Sequence, residues 1–417
     1  MADRSTTLIV DFHRAPMKNI AACASLSPKT LVLVGENPAL QFGVARYEQF
    51  IKDRSLDITV RPCAVDCDDL YAVADALTDI LQGGECYVLD LWEGTRAIAA
   101  AAGIAYDRCK DTCCVQMQYL TPLGKAMDGD GDGYLVPATA PKIGVTDLIA
   151  LYGGVVAPAT TQPSHVYTFA DIRSLWQTSF APGVDFNRGI SAINEFEKQA
   201  MQNGDNLNVT IPFYNIQANI VGYPQKRRLF NVLLSHLETA GAVRIIRRTE
   251  NSFCYQYKNP LVRYCLKKAG NLLECVVFLK ARDFTQNGKP FFDDLLMGVN
   301  IDWDGVLHPS VPGGIKDTHN EIDVLLMRGL TPIFISCKNG KVNEEELYKL
   351  QTVATRFGGK YVKTALIATD FDPDSIDTKM SLLQRAADMH IHFESAAFDL
   401  DDAEWEDLFL RIAKVEE

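Results

Sequence analysis

Two apolar runs rich in β-branched residues flank a short turn in the C-terminal third of the chain, and this pattern predicts a β-hairpin. The runs are Asn320–Leu326 and Thr331–Lys338, separated by a short turn that contains a glycine. Successive side chains of a strand face opposite sides, so Glu321 and Asp323 project from one face of the first strand. We therefore expect two carboxylates at the edge of a hairpin whose other residues favour burial.

The second strand of the hairpin brings a hydroxyl and an ammonium group to the same place. Ser336 and Lys338 share one face of that strand. Carboxylate oxygens with open positions suit Mg²⁺ or Mn²⁺, and such an ion activates water and stabilises charge that develops on a phosphate. The predicted chemistry is phosphodiester hydrolysis; the alternative is a solvated strand face without chemistry. The candidate catalytic residues are Glu321, Asp323, Ser336 and Lys338.

The segments around the hairpin predict the order αβββαβ. Predicted helices cover Leu261–Leu266, Gly270–Leu279 and Asn343–Gln351, and predicted strands cover Met297–Trp303 and Lys363–Ala368. Glu274 is the polar residue of an apolar helical segment, so it either joins the site or faces solvent. Asn343 predicts a helix cap, and the acids Glu344–Glu346 are typical of a first helical turn rather than of catalysis.

Strands and helices alternate over about the first 150 residues, which predicts a doubly wound α/β unit. The predicted strands are Thr6–Asp11, Thr30–Gly35, Asp57–Val60 and Glu85–Leu91. In such a sheet, ligands bind beyond the carboxyl ends of the strands. No G-x-G-x-x-G motif follows the first strand, so dinucleotide binding is disfavoured.

Two loops after strands have the composition of a ligand site. The first is Asp11–Asn19, which carries polar and cationic groups ahead of a helix. The second is Trp92–Arg96, in which Gly94 permits close approach, Thr95 can cap a helix and Arg96 can meet a phosphate. A plain β–α turn is the alternative for both loops.

The middle of the chain, roughly residues 155–258, predicts helices followed by a strand pair. The predicted helices lie around Phe169–Thr178, Ile190–Met201 and Pro224–Glu238, and the strands cover Ala242–Arg248 and Ser252–Tyr257. This order resembles a winged-helix module. A basic cluster accompanies it and consists of Lys226, Arg227, Arg228, Arg244, Arg247 and Arg248. Contact with DNA and a connector role remain alternatives for this cluster.

Composition places the chain among globular proteins of two or three domains. Its 417 residues exceed the usual limit for a single core. The longest apolar runs fall short of a membrane span. The N-terminus leads directly into a strand without a signal peptide pattern, and the cysteines show no zinc spacing, so we expect a cytoplasmic protein with reduced thiols. A net charge of −12 argues against a general nucleic-acid coat protein.

The C-terminal region resembles the nuclease domain of the Card/Can family of CRISPR ancillary nucleases, a PD-(D/E)xK fold. The resemblance is carried by Asn320–Asp323, Phe334–Lys338, the helix with Glu274, and the later Glu346–Leu350 and Arg356–Tyr361. It implies Mg²⁺ or Mn²⁺ held by Asp323, Glu321, Glu274 and the Cys337 carbonyl, with Lys338 positioning the attacking water. The sequence departs from the family where Ser336 replaces an acid. Either Glu321 supplies the missing carboxylate or activity is lost.

The N-terminal loops resemble those of the CRISPR-associated Rossmann-fold (CARF) sensor domain. Pro16–Asn19 matches its P-x-x-N element, and Glu93–Arg96 matches its second loop, with Glu93 where many members have glycine. The resemblance implies a cyclic oligoadenylate ligand bound across a homodimer axis. The ligand-binding candidates are Asp11, Phe12, His13, Arg14, Asn19, Trp92, Gly94, Thr95 and Arg96.

These resemblances lead us to expect three domains, at about residues 1–155 (sensor), 156–258 (winged-helix-like connector) and 259–417 (nuclease). The expected activity is metal-dependent cleavage of single-stranded DNA, RNA or supercoiled DNA, switched on by cyclic oligoadenylate and most simply by the tetramer. Two alternatives stay open. One is a non-catalytic, ligand-controlled DNA-binding regulator with a decayed nuclease domain, and the other is a restriction-type nuclease that needs no messenger.

Overall fold

The computed structural model describes residues 6–13, 15–91, 94–120, 126–128, 134–135, 143–157, 166–201, 206–308, 319–340, 342–369 and 376–414. The fold is α/β, as predicted. The N-terminal sheet has the order β3-β2-β1-β4-β5-β6-β7, and β1 to β5 run parallel. Its strands are β1 (Thr6–Asp11), β2 (Thr30–Gly35), β3 (Thr59–Ala64), β4 (Cys86–Asp90), β5 (Cys114–Leu120), β6 (Ala126–Asp128) and β7 (Tyr134–Leu135).

Helices cover both faces of this parallel sheet, which is why its central strands are apolar throughout. They are α1 (Pro16–Leu26), α2 (Ala39–Asp53), α3 (Leu70–Leu81), α4 (Arg96–Cys109) and α5 (Val145–Leu151). The helices α3 and α4 enclose one face together with Ile9 and Leu89. The helices α1 and α2 cover the other face, where Leu8 and Val10 point. The carboxyl ends of β1 and β4 therefore lie side by side, each leading to one of the predicted loops.

After a first helix, the middle of the chain has the element order of a winged helix, helix–strand–helix–helix–strand–strand. Its elements are α6 (Phe169–Ser179), α7 (Phe186–Gln199), β9 (Asn208–Pro212), α8 (Phe213–Ile216), a 3₁₀ turn (Gln217–Asn219), α9 (Tyr223–Thr239), β10 (Val243–Arg248) and β11 (Ser252–Tyr257). The strand β9, which the sequence analysis did not predict, pairs with β11 and completes a three-stranded sheet.

The C-terminal sheet has the order β18-β17-β16-β15-β14-β8. Its strands are β8 (Val155–Val156), β14 (Asp294–Asp302), β15 (His319–Arg328), β16 (Thr331–Lys338), β17 (Lys363–Ala368) and β18 (Ile391–Glu394). The accompanying elements are α10 (Pro260–Cys265), α11 (Asn271–Asp283), a small hairpin of β12 (Thr285–Gln286) and β13 (Lys289–Pro290), α12 (Glu344–Gly358), a 3₁₀ turn (Gly359–Tyr361), α13 (Ile376–Asp388) and α14 (Asp402–Ile412). The predicted order αβββαβ is confirmed.

The C-terminal sheet is buried on both faces, and each face belongs to a different core. One core joins it to α11, α14 and the winged-helix region. The other joins it to α12 and to the N-terminal helices α1, α2 and α5. At the edge of this sheet, Val156 pairs with Ile301 and Val155 with Asp302, so a segment that follows the N-terminal unit extends the C-terminal one. The two sheets are thus packed through shared helices.

Candidate functional site

The predicted hairpin is present, and its register places the polar residues together. Val324 lies opposite Ile335 and Arg328 opposite Thr331, which leaves a tight turn at Gly329–Leu330. Gly329 has φ 58°, a left-handed conformation that glycine adopts without steric cost. By this register, Asp323 lies next to Ser336 across the two strands.

Asp323 is the most enclosed acid of the hairpin. Its Oδ2 accepts hydrogen bonds from the Cys337 backbone N–H at 2.5 Å and from the Ser336 hydroxyl at 3.2 Å. Burial raises the pKa of Asp323, while these hydrogen bonds and the charge of Lys338 oppose the rise. The Ser336 hydroxyl thus orients Asp323 instead of supplying the charge of the absent acid.

Glu321 and Glu274 bring two more carboxyl groups to the surroundings of Asp323. Glu321 is exposed and lines a cavity of about 390 Å³ together with Asp323, Ser336 and Lys338. Glu274 is buried in the first turn of α11. Burial, followed by the charges of Asp323 and Glu321, raises the pKa of Glu274 to about 8. The helical glutamate therefore belongs electrostatically to the hairpin site and does not face solvent.

Lys338 is held by a residue that the sequence analysis assigned to helix initiation. Its Nζ lies 2.6 Å from Glu346 Oε2, and Glu346 lines the same cavity. Burial lowers the pKa of Lys338, but the contact with Glu346 and the charge of Asp323 outweigh it and raise the pKa overall. The predicted cap at Asn343 is confirmed, since its side chain accepts a hydrogen bond from the Glu346 N–H at 3.3 Å. Helix capping and a place in the cavity are compatible for this segment.

The carbonyl of Cys337 lies on the side of β16 that borders β15. The carbonyl of Lys338, its neighbour, accepts a hydrogen bond from Thr369 N–H at 3.1 Å on the β17 side. Main-chain groups of successive strand residues alternate in direction, so the Cys337 carbonyl points toward β15, as its N–H does toward Asp323. The side chain of Cys337 is buried, and burial raises the pKa of its thiol, which disfavours a thiolate ligand.

The donor set fits a hard divalent cation. As the described side chains stand, no group of three or more histidine, cysteine, aspartate or glutamate residues is close enough together to hold a metal ion. Mg²⁺, however, keeps several waters and needs only one or two carboxylates. Burial and, after it, the charges of Asp323 and Glu321 raise the pKa of Glu274, and a cation at the cavity would oppose both effects. All of the available ligands are oxygens, which Mg²⁺ and Mn²⁺ prefer.

At the N-terminal sheet, Asp11 joins the two predicted ligand loops. It is fully buried, and its carboxylate accepts hydrogen bonds from His13 N–H at 2.7 Å and from Thr95 N–H at 2.6 Å. A Cβ on Gly94 would lie 2.0 Å from Asp11 Oδ2, so glycine is required there by this close approach. Thr95 is the N-cap residue of α4, as predicted, but its hydroxyl lies 3.5 Å from His13 Nδ1 instead of on the helix.

The remaining loop candidates divide into exposed and buried groups. His13 and Arg96 are exposed and stand at the carboxyl edge of the sheet. Phe12 is half-buried, and a Cβ on Gly43 would lie 1.9 Å from its ring. Asn19 is buried, and its amide donates to the Asp11 carbonyl and to the Tyr47 hydroxyl. Arg14 and Trp92, together with Glu93, lie outside the described residues.

The basic cluster of the winged-helix region is partly engaged within the chain. Lys226 pairs with Glu195, and Arg227 donates to the Glu250 carbonyl at 2.7 Å. Arg228, Arg244, Arg247 and Arg248 are exposed. The contacts of Lys226 and Arg227 within the chain support the connector role. The four exposed arginines are compatible with contact to DNA.

Comparison with known proteins defines the fold. No family model matches the chain, and no curated protein matches its sequence. Protein VC1899 from Vibrio cholerae matches 97% of this chain and 96% of its own, at 15% identity and a TM-score of 0.68. Can2 from Sulfobacillus thermosulfidooxidans, solved in complex with cyclic tetra-adenylate, matches 98% of this chain and 100% of its own, at 16% identity and a TM-score of 0.64.

This chain has the fold of Can2. The likeness extends over both sheets and the region between them, so the predicted joining of an N-terminal Rossmann-like unit to a C-terminal α/β unit is confirmed as an architecture. At this identity the comparison concerns the fold alone. Within the described part of the chain, no helix is both long and apolar enough to span a bilayer.

Proposed function

We propose that this protein is a metal-dependent nuclease of type III CRISPR antiviral defence that cyclic tetra-adenylate activates. The observation that carries the proposal is the hairpin cavity, where Glu321, Asp323 and Lys338 meet in a chain with the Can2 fold. Its substrates are phosphodiester bonds of DNA, RNA or both. It acts as a homodimer in the cytoplasm.

Each residue of the cavity has a role in this chemistry. Glu321 and Asp323, with Glu274 and the Cys337 carbonyl, hold the divalent ion. That ion, when bound, supplies a polarised water and neutralises charge on the phosphate. Ser336 and the Cys337 N–H fix the Asp323 carboxylate. Lys338 orients the water and offsets developing negative charge beside the scissile bond.

The sensor loops support recognition of an anionic cyclic ligand. Backbone N–H groups at the start of α4, with Arg96 and His13, form a cationic edge that suits phosphates. Asp11 and Asn19 are buried and shape the loops from beneath. Activation requires the ligand to bind one arrangement of the dimer more tightly than another. The helices shared between the two sheets give such a preference a route to the cavity.

A cleavage assay tests this function. The purified protein is incubated with labelled single-stranded DNA, single-stranded RNA and supercoiled plasmid, with Mg²⁺ or Mn²⁺, and with or without cyclic tetra- and hexa-adenylate. We expect cleavage that needs both metal and the tetramer. Lys338→Ala should abolish cleavage and leave ligand binding, measured by calorimetry, unchanged. Retained cleavage in this variant would place the catalytic site elsewhere.

A second candidate is a ligand-controlled DNA-binding regulator, and the serine at position 336 favours it. Ser336 stands where an acid is expected and is bonded to Asp323. A regulator of this kind would shift duplex DNA in a gel without cutting it under any metal or activator condition. Cleavage without any activator would favour a restriction-type nuclease instead, and would leave the sensor loops without a role.

A further inference from the structure

Glu346 brings an acid to Lys338 from outside the hairpin. Two residues before Lys338 stands Ser336, whose hydroxyl contacts Asp323 and carries no charge. Glu346 comes from a different element, the first turn of α12, yet it lines the same cavity as Glu321 and Asp323. Its Oε2 lies 2.6 Å from Lys338 Nζ. An acid is therefore present beside the lysine, but a helix supplies it.

The local sequence of α12 fixes this placement. Asn343 caps the helix and receives the N–H of Glu346, which sets where the first turn begins. Leu347 and Leu350 are fully or almost fully buried against the sheet, so the rotation of the helix is determined by its apolar face. Glu346 precedes Leu347 by one position and consequently lies at the border of that face, half-buried and directed to the cavity.

The charges around Glu346 keep it ionised. Lys338 Nζ lies 2.6 Å from Glu346 Oε2, and Lys349 Nζ lies 3.4 Å from Glu346 Oε1. Burial raises the pKa of Glu346, but the two lysines outweigh it and lower the pKa overall. A carboxylate between two ammonium groups, in a partly enclosed site, has a defined position and a persistent negative charge.

We propose that Glu346 is a positioning residue that holds Lys338 at the cavity. The proposal rests on the proposed nuclease function. A lysine ammonium is a point charge on a flexible four-carbon stem, and it needs a fixed partner to keep one location. Asp323 is already committed to the Cys337 N–H and the Ser336 hydroxyl. Glu346 is therefore the carboxylate that holds the Lys338 ammonium group in place.

If Glu346 instead inhibits the enzyme, its substitution should raise the activity and not lower it. If the contact drew Lys338 away from the acids, Glu346 would be a lock, and its removal would release activity without the activator. Both roles predict a change on substitution, so the direction of the change distinguishes them.

The experiment compares Glu346→Gln, Glu346→Asp and a matched control, Glu345→Gln. Glu345 is the neighbouring exposed acid, and it pairs with Lys349 at 2.8 Å. With saturating cyclic tetra-adenylate and Mn²⁺, we expect Glu346→Gln to lower kcat about tenfold to a hundredfold with little change in KM, because the cost is misplacement of Lys338. Glu346→Asp should recover part of the loss. Glu345→Gln should match the unaltered protein.

A second readout does not depend on cleavage. Reductive methylation followed by mass spectrometry measures how fast each lysine amine reacts in the full chain. Loss of the ion pair should make Lys338 react about two to five times faster in Glu346→Gln. Lys280, which pairs with Asp402, serves as the internal reference. Thermal melting checks that the variant folds.

Two results would overturn the proposal. One is unchanged kcat together with unchanged Lys338 reactivity, and the other is cleavage by Glu346→Gln without activator. If the unaltered protein cuts nothing, the nuclease function fails, and the reactivity of Lys338 still decides whether Glu346 holds it.

Discussion

At the residue scale, Asp11 explains how two distant loops form one edge. The residue ends β1 and is buried, and its two oxygens reach the loops that follow β1 and β4. A hydrogen bond to an ionised acceptor is roughly twice as strong as a neutral one. The carboxylate therefore fixes the N-terminus of α4 relative to His13, and Asp11 itself is fully buried.

Gly94→Ala should disrupt this edge. The new Cβ would stand 2.0 Å from Asp11 Oδ2, so either the carboxylate or the loop must move. We expect cyclic tetra-adenylate to bind about tenfold more weakly or worse, as measured by calorimetry. Gly103→Ala is the control, because Gly103 lies within α4, the helix that follows this loop, and its new Cβ would meet open space. Equal affinities for the two variants would contradict the assignment of this loop to the ligand.

We expect His13 to make the binding of the proposed ligand dependent on pH. The hydrogen bond to Asp11 raises the pKa of His13, and burial opposes this only in part. Protonated His13 attracts an anionic ligand, so affinity should be full below about pH 6.5 and fall as the pH rises through the raised pKa. His13→Gln should remove this fall in affinity, which is checked by measuring ligand affinity from about pH 6 to about pH 9. A fall of the same size in the variant would assign the titration to another group.

At the element scale, α12 connects the sensor side to the cavity. Its first turn carries Glu346, and its last turn carries Arg356, which donates to the Tyr152 carbonyl at 2.8 Å. Just beyond the helix, the ring of Tyr361 lies 4.2 Å from Lys18 Nζ, on the helix that follows the first ligand loop. One rigid helix thus touches the cavity at one end and sensor-side elements at the other.

Arg356→Ala should weaken coupling more than binding. Loss of the bond to Tyr152 loosens the contact between α12 and α5 without touching the ligand loops. We expect the stimulation of cleavage by cyclic tetra-adenylate to fall about two- to thirtyfold, with activity lacking activator unchanged. Arg411→Ala is the control, since Arg411 makes an exposed pair on α14. Undiminished stimulation in Arg356→Ala would show that α12 does not carry the signal.

At the scale of the whole molecule, the shared core makes the two sheets one cooperative unit. Phe357 is fully buried in that core, edge-on to Trp303 at 5.6 Å, and a Cβ on Gly154 would lie 2.6 Å from its ring. The phenylalanine thus fills the junction between the C-terminal sheet and the segment that arrives from the sensor side. We infer that the two sheets unfold together.

Phe357→Ala should lower the stability of the entire chain. Removal of a buried phenylalanine costs about 3–5 kcal/mol, which corresponds to a fall in Tm of about 5 °C or more. Differential scanning calorimetry should show a single transition, shifted as a whole. Phe42→Ala is the control, because Phe42 is 71% exposed. Two separate transitions, of which only one moves, would show that the sheets unfold independently.

The sequence by itself determined the elements whose signals are local. The apolar, β-branched run at Thr331–Lys338 and the apolar runs at β1, β2 and β17 gave strands with the observed bounds. Asn343 marked the start of α12. These features follow from the periods of strand and helix, which neighbouring residues alone express. The register of the hairpin did not follow from the sequence: the predicted turn Met327–Leu330 is tighter in the structure, where Arg328 pairs with Thr331, and this register places Asp323 beside Ser336.

Tertiary structure decided what depends on contacts between distant segments. Asp11 and Thr95 are 84 positions apart, and their bond depends on β1 and β4 being neighbours in the sheet. The strand β9 is only five residues long, and its pairing with β11 buries Val209 and Ile211. Glu346 looked like an ordinary helix-start acid, and only the packing of α12 against the sheet brings it to Lys338. Periodicity assigns a residue to an element and a face, whereas its partner is set by how elements pack.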